Sequence, residues 1–219
     1  MDPFPEIRPR ATLGCPHRSG RIRLVGRELA AHAPFTALGT LSGVAILAFI
    51  VWCRVPRPIS VGLFWALHPL HVFLSALVTT AVFRLHGGRG WGRILAIGWL
   101  GSVGIATVSD CVLPFAGEWL LALPHRGLHL GFVEKAWWVN GLAVAGIAAG
   151  SAWPHTRFPH MGHVLISTWA SLFHVTMALG TDFAAATGLL IALFLFLSVW
   201  LPCCTSDIVF PLLFVRGKG

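Results

Sequence analysis

Long apolar stretches are the feature that most restricts what this chain can fold into. Of its 219 residues, 56% are hydrophobic and only 11% are charged, and the mean hydropathy is +0.76. A soluble domain typically carries about 25% charged residues. Several apolar stretches approach the roughly 20 residues that an α-helix needs to cross a bilayer. The sequence therefore predicts an all-α polytopic membrane protein.

We expect six transmembrane helices, at about residues 35–52, 59–83, 94–108, 136–153, 160–179 and 189–201. With this arrangement, twelve of the sixteen Lys and Arg residues lie in the N-terminal tail, the two loops on the same side and the C-terminus. Basic residues concentrate on the cytoplasmic side of membrane proteins. Both termini are thus predicted to be cytoplasmic, in a prokaryotic cytoplasmic (inner) membrane. This distribution also accounts for the net charge of +8 without nucleic acid as a partner.

Two similar patterns occur in the same order in each half of the chain. The first is His-x-x-His-x-x-x-Ser, in which the three polar residues lie on one face of an α-helix. The second is a Ser-Asp pair that begins SDCVLP in one half and SDIVFP in the other. The residues concerned are His68, His71, Ser75, Ser109 and Asp110 in the first half, and His160, His163, Ser167, Ser206 and Asp207 in the second.

This duplication predicts two units of three helices each. Because three is an odd number, the second unit must enter the membrane in the opposite direction, which gives inverted repeats of the kind found in secondary transporters. We expect a disordered basic tail at 1–27, a first repeat at 28–131 and a second at 132–219. Residues 29–115 should then superpose on 132–212 after a two-fold rotation in the membrane plane.

Histidine and aspartate inside a membrane indicate a functional polar site, because they are costly there. Together they suit a borderline divalent ion, with Zn²⁺ or Fe²⁺ as the expected cofactor. The predicted ligands are His68, His71, Asp110, His160, His163, Asp207 and His174. We expect His68, His71 and Asp110 to form one cluster, and His160, His163 and Asp207 to form a second. Ser75, Ser109, Ser167 and Ser206 are predicted to bind the cofactor indirectly, through its ligands or a bound water. The alternatives are hydrogen bonds that only hold the helices together and a proton relay.

Two other groups of residues receive weaker functional predictions. Cys203-Cys204 could join a metal site, although small apolar residues at a helix end are the favoured interpretation. His125 and His129, in the sequence HRGLH, could capture an ion at the outer surface. Because surface histidines are common, an ordinary surface role is favoured for both.

The leading functional hypothesis is a transporter or channel for a divalent transition-metal ion. The alternative is a membrane-embedded enzyme that uses Zn or non-haem Fe on a lipid or other apolar substrate, and a haem carrier with His71 and His163 as axial ligands is a third. The expected partners are the lipid bilayer and either a metal ion or a small apolar substrate, with homo-oligomer formation left open. One distance discriminates between the first two: histidines 71 and 163 within about 5 Å of one metal position favour the enzyme.

Overall fold

The computed structural model describes residues 18–154, 157–180, 185–205 and 209–215, and the regular structure within these ranges is entirely helical. The helices are α1 (Arg18–Trp52), α2 (Arg57–Leu85), α3 (Trp91–Leu120), α4 (Gly131–Glu134), α5 (Ala136–Ala152), α6 (Arg157–Ala178), α7 (Ala185–Cys204) and α8 (Phe210–Leu213).

The all-α prediction is confirmed over the described residues. Each of the six predicted spans lies inside a helix or extends at most one residue beyond its end. Three helical stretches are long and apolar enough to cross a membrane: Ala33–Trp52 in α1, the whole of α2 and the whole of α3. A shorter apolar stretch, Thr187–Cys203, lies in α7. The inverted repeat and the sidedness of the termini remain predictions.

Two predicted boundaries are wrong. Helix α1 begins at Arg18, inside the stretch predicted to be a disordered tail up to residue 27, and it passes through Pro34 without ending. Helix α3 does not end at Ser109-Asp110 but continues to Leu120. Pro114 was read as part of a loop, yet it occupies the beginning of the last helical segment of α3, where the missing N–H is tolerated. The longest connection is therefore shorter than expected.

Helix α2 is the centre of the bundle and packs between α5 and α6, while α1 packs against α6 and α7. The distribution of polar and apolar side chains in the bundle is the reverse of that in a soluble protein. His68 and Asp110 are completely buried, whereas Trp52 and Trp137 are 87% and 96% exposed. Large apolar side chains cover much of the outer surface, as expected where lipid is the solvent.

Close packing of α2 against α5 depends on two glycines spaced four residues apart. A Cβ atom at Gly146 would overlap the backbone carbonyl of Phe73, and one at Gly150 would overlap the carbonyl of Leu77. Small residues with this spacing allow membrane helices to approach closely. The contact holds α2 in place beside α3, where its polar face meets Asp110.

We expect Gly146→Ala to destabilise the protein by about 1–3 kcal/mol, because the added methyl group has only backbone to displace. Gly141→Ala is the matched control on the same helix, since nothing lies within 4 Å of a Cβ atom there. Alanine also favours helix over glycine, so the control should be neutral or slightly stabilised. Thermal unfolding in detergent measures both; equal midpoints for the two variants would contradict this account of the interface.

Candidate metal centre

The centre of the bundle brings together the histidines of α2 and the aspartate of α3. The Nδ1 atoms of His68 and His71 lie 3.0 and 2.7 Å from the same oxygen of Asp110, Oδ2. All three side chains are at most 1% exposed. The sequence-based expectation that these three residues meet therefore agrees with the structure.

The carboxylate of Asp110 is fully engaged in hydrogen bonds. Its second oxygen, Oδ1, accepts from the hydroxyls of Ser109 at 2.7 Å and Ser167 at 2.9 Å. Four donors on one carboxylate occupy the lone pairs that a metal ion would need. The contacts of Asp110 are thus those of a residue that orients imidazoles rather than those of the direct ligand predicted from sequence.

Irregular geometry in α3 places Asp110 at this position. A turn of π-helix spans Val108–Val112, and such turns often occur at functional sites. Pro114 lies four residues after Asp110 and has no N–H, so it cannot donate to the Asp110 carbonyl as a regular helix requires. The Ser109 carbonyl accepts a bond from Ser171 Oγ at 3.0 Å, which ties the π turn to α6.

The Asp110 network leaves the other nitrogen of His71 facing two residues of the second half of the chain. Cys203 Sγ lies 3.9 Å from His71 Nε2. The His71 and His163 rings are nearly parallel, with centroids 5.7 Å apart. One ligand atom from each of His71, His163 and Cys203 can be chosen so that all three lie within 4.8 Å of one another.

One of these separations, that between Cys203 and His71, is close to the value expected around a first-row metal ion. With Zn–S of 2.3 Å and Zn–N of about 2.05 Å, tetrahedral coordination places sulfur and nitrogen about 3.6 Å apart. The observed 3.9 Å between Cys203 Sγ and His71 Nε2 is close to that value. His71 also has the second partner typical of a metal-ligating histidine, a carboxylate on its other nitrogen.

Charge balance requires a positive charge beside Asp110. Each polar partner that the structure records for Asp110 is a histidine or a serine. Burying a carboxylate without a compensating positive charge is costly. A proton on His68 or His71 would supply that charge, and so would a divalent ion on His71.

The remaining predicted residues are distributed as follows. His163 lies at the His71 site, Ser109 and Ser167 bind Asp110, and Ser75 is buried on α2. The side chain of His160, and Ser206 and Asp207 entirely, lie outside the described residues, so the second predicted cluster stays a prediction. His174 does not join the centre but pairs with Glu118, with Nδ1 2.7 Å from Oε1 and both side chains completely buried.

The sequence analysis assigns no role to Glu118 and favours Cys203 as a small apolar residue at a helix end. Glu118 follows Asp110 by eight residues, which is about two helical turns, so extending α3 to Leu120 would have placed both carboxylates on one face. Cys203 offered a weaker signal, because a buried cysteine is usually only a small apolar residue.

Comparison with models of protein families, with curated proteins and with solved structures found no match to this chain.

Proposed function

We propose that this chain is an integral membrane enzyme that holds one divalent transition-metal ion, Zn²⁺ or Fe²⁺, on His71, His163 and Cys203. The single observation that carries the proposal is the convergence of these three buried ligand atoms within 4.8 Å. Three protein ligands leave a fourth position for water or substrate, as in catalytic zinc sites. A metal ion with such a position activates water as a nucleophile, so the proposed reaction is hydrolysis of a lipid or other apolar substrate.

The membrane arrangement that goes with this function is the six-helix topology, with both termini in the cytoplasm and two inverted repeats. Its support is the distribution of basic residues and the position of the two histidines at the centre. His71 and His163 occupy equivalent places in the two sequence patterns, and their rings lie side by side. Equivalent residues meet in this way when a pseudo-two-fold axis passes between them.

A single centre is compatible with both the enzyme and the transporter, because transporters also bind their substrate near the bilayer midplane, between the two repeats. The enzyme is proposed because three protein ligands with one open position resemble a catalytic zinc site. Here histidines from both halves of the chain converge on one completely buried position. The haem alternative is disfavoured because the Cys203 sulfur lies 3.9 Å from His71 Nε2, in the space that a porphyrin between the two imidazoles would need.

Cobalt substitution tests the proposed ligand set. We expect the full-length protein in detergent to bind one Co²⁺ with a thiolate-to-metal charge-transfer band, because Cys203 supplies sulfur. Cys203→Ser should lose that band, and Cys53→Ser should keep it, since Cys53 is a free and exposed cysteine on the surface. A band of unchanged intensity in Cys203→Ser would rule out this centre.

Reconstituted vesicles distinguish the enzyme from the transporter. Zinc-loaded protein is incubated with a mixture of phospholipids, sphingolipids and acylglycerols, and the products are identified by mass spectrometry. A zinc-sensitive dye inside the same vesicles reports ion flux. Hydrolysis products without flux support the enzyme, whereas flux that requires His71 and His163 would establish the transporter instead.

A further inference from the structure

Among the residues that the structure describes, four histidines share one arrangement, in which Nδ1 donates a hydrogen bond to a carboxylate. The pairs are His68 and His71 with Asp110, His174 with Glu118, and His129 with Glu134. An Nδ1–H that donates to a carboxylate fixes the tautomer and leaves the Nε2 lone pair for a metal ion. Two of these histidines, His129 and His174, lie outside the centre already described.

His129 and His174 lie together near the surface. Their ring centroids are 5.6 Å apart and the ring planes meet at 65°, whereas the His71 and His163 rings are nearly parallel. The His129 side chain is 31% exposed, whereas that of His174 is completely buried. Among the described residues, His174 Nε2 has no hydrogen-bond partner. A buried polar atom without a partner is costly and indicates a missing water or ion.

A line of aromatic contacts runs from this pair towards the centre. The ring of Phe64 lies edge-on to His174, with centroids 5.2 Å apart, and stacks on His68 at 5.4 Å. His68 Nε2 is also buried without a hydrogen-bond partner in the described part of the chain. His68 in turn shares the Oδ2 atom of Asp110 with His71, so these contacts join the pair to the centre.

We propose that His129 and His174 form an uptake site through which the divalent ion of the proposed enzyme reaches the buried centre. Glu118 and Glu134 supply negative charge beside the two imidazoles, and water completes the coordination. Two protein ligands bind an ion more weakly than the three at the centre, so the ion passes inward rather than remaining. The proposal rests on the proposed function, because it presupposes an ion at His71, His163 and Cys203.

Metal-loading kinetics test this proposal. Full-length apo protein in detergent is mixed with Co²⁺ alone, and the thiolate band of Cys203 is followed in time. His129→Ala should slow loading by about ten-fold or more, because it removes one of the two ligands of the uptake site, and losing a residue that merely supports a metal site already costs about 10–100-fold in affinity or activity. His174→Gln should slow it similarly. The final band should equal that of the unaltered protein, since neither histidine belongs to the centre.

His125→Ala is the matched control, because His125 lies in the same loop, is exposed, and is held by its backbone N–H to Ala178 O rather than by its side chain. It should load at the normal rate. Loading of His129→Ala at the normal rate would overturn the uptake site while leaving the centre intact. An unaltered protein that never develops a thiolate band would overturn both proposals. His129 is a partly exposed loop residue, so we expect His129→Ala to fold normally and its loading rate to be measurable.

Discussion

His71→Ala is expected to abolish stoichiometric metal binding, and with it the proposed hydrolytic activity, while the protein still inserts into the membrane. The change removes one of three ligands and leaves the apolar length of α2 unaltered, so helix insertion should not suffer. His163→Ala should have the same effect from the other half of the chain. Metal content of the purified protein by elemental analysis, together with membrane yield, measures both.

His86→Ala provides the comparison for these variants. His86 lies just beyond the end of α2, and the hydrogen bond that the structure records for its Nδ1 atom is to the carbonyl of Val82, 2.9 Å away. It should therefore retain metal and activity. If the histidines of the centre only hold helices together, His71→Ala should instead be poorly folded and poorly expressed. A well-expressed double variant of His71 and His163 with unchanged metal content would end the metal hypothesis.

Asp110→Asn is expected to lose both metal affinity and stability, although the side chain barely changes in size. Both oxygens of Asp110 accept hydrogen bonds, whereas asparagine has one oxygen that accepts and one NH₂ group that donates. The NH₂ group would therefore face either the two imidazole N–H groups or the two serine hydroxyls. If His71 changes tautomer to relieve the conflict, its Nε2 carries the proton and can no longer bind a metal ion. Affinity should fall by about 10–100-fold.

The loss of stability in Asp110→Asn should be about 3–5 kcal/mol, as for other broken buried networks. Ser167→Ala is the graded comparison, because it removes one of the four hydrogen bonds and should cost about 1 kcal/mol. Thermal unfolding of the apo proteins separates this effect from metal binding. An Asp110→Asn variant with the unfolding midpoint and metal content of the unaltered protein would show that the carboxylate orients nothing.

The position of Asp110 also explains why this centre is buried at the contact between the two halves of the chain. Asp110 binds histidines of α2 and Ser167 of α6, so one carboxylate fixes three helices relative to one another. His71 then faces His163 and Cys203, which belong to α6 and α7. The ligand set thus requires the whole bundle to be assembled, and metal content should report correct folding as well as ligand identity.

Local patterns in the sequence determined the helical content and the faces that carry polar residues. Apolar length alone identified the positions of the helices, because a membrane-spanning helix satisfies its backbone hydrogen bonds within itself. The spacing of His68 and His71 placed both on one face of α2, and the cost of a buried carboxylate indicated that Asp110 would meet them. These expectations needed no knowledge of how the helices pack.

Tertiary structure decided which atoms face which. The sequence could not show that both oxygens of Asp110 would accept hydrogen bonds, because that depends on Ser109, Ser167 and the π turn in α3. It could not distinguish Cys203 from other small apolar residues, because Cys203 and His71 are 132 residues apart in the sequence and meet only in the folded bundle. The predicted third span ends at residue 108 and so leaves Glu118 out, whereas α3 packs against α6 and continues past Pro114 to the contact with His174. Spacing along one helix fixes a face, but the partner of that face is set by packing between helices.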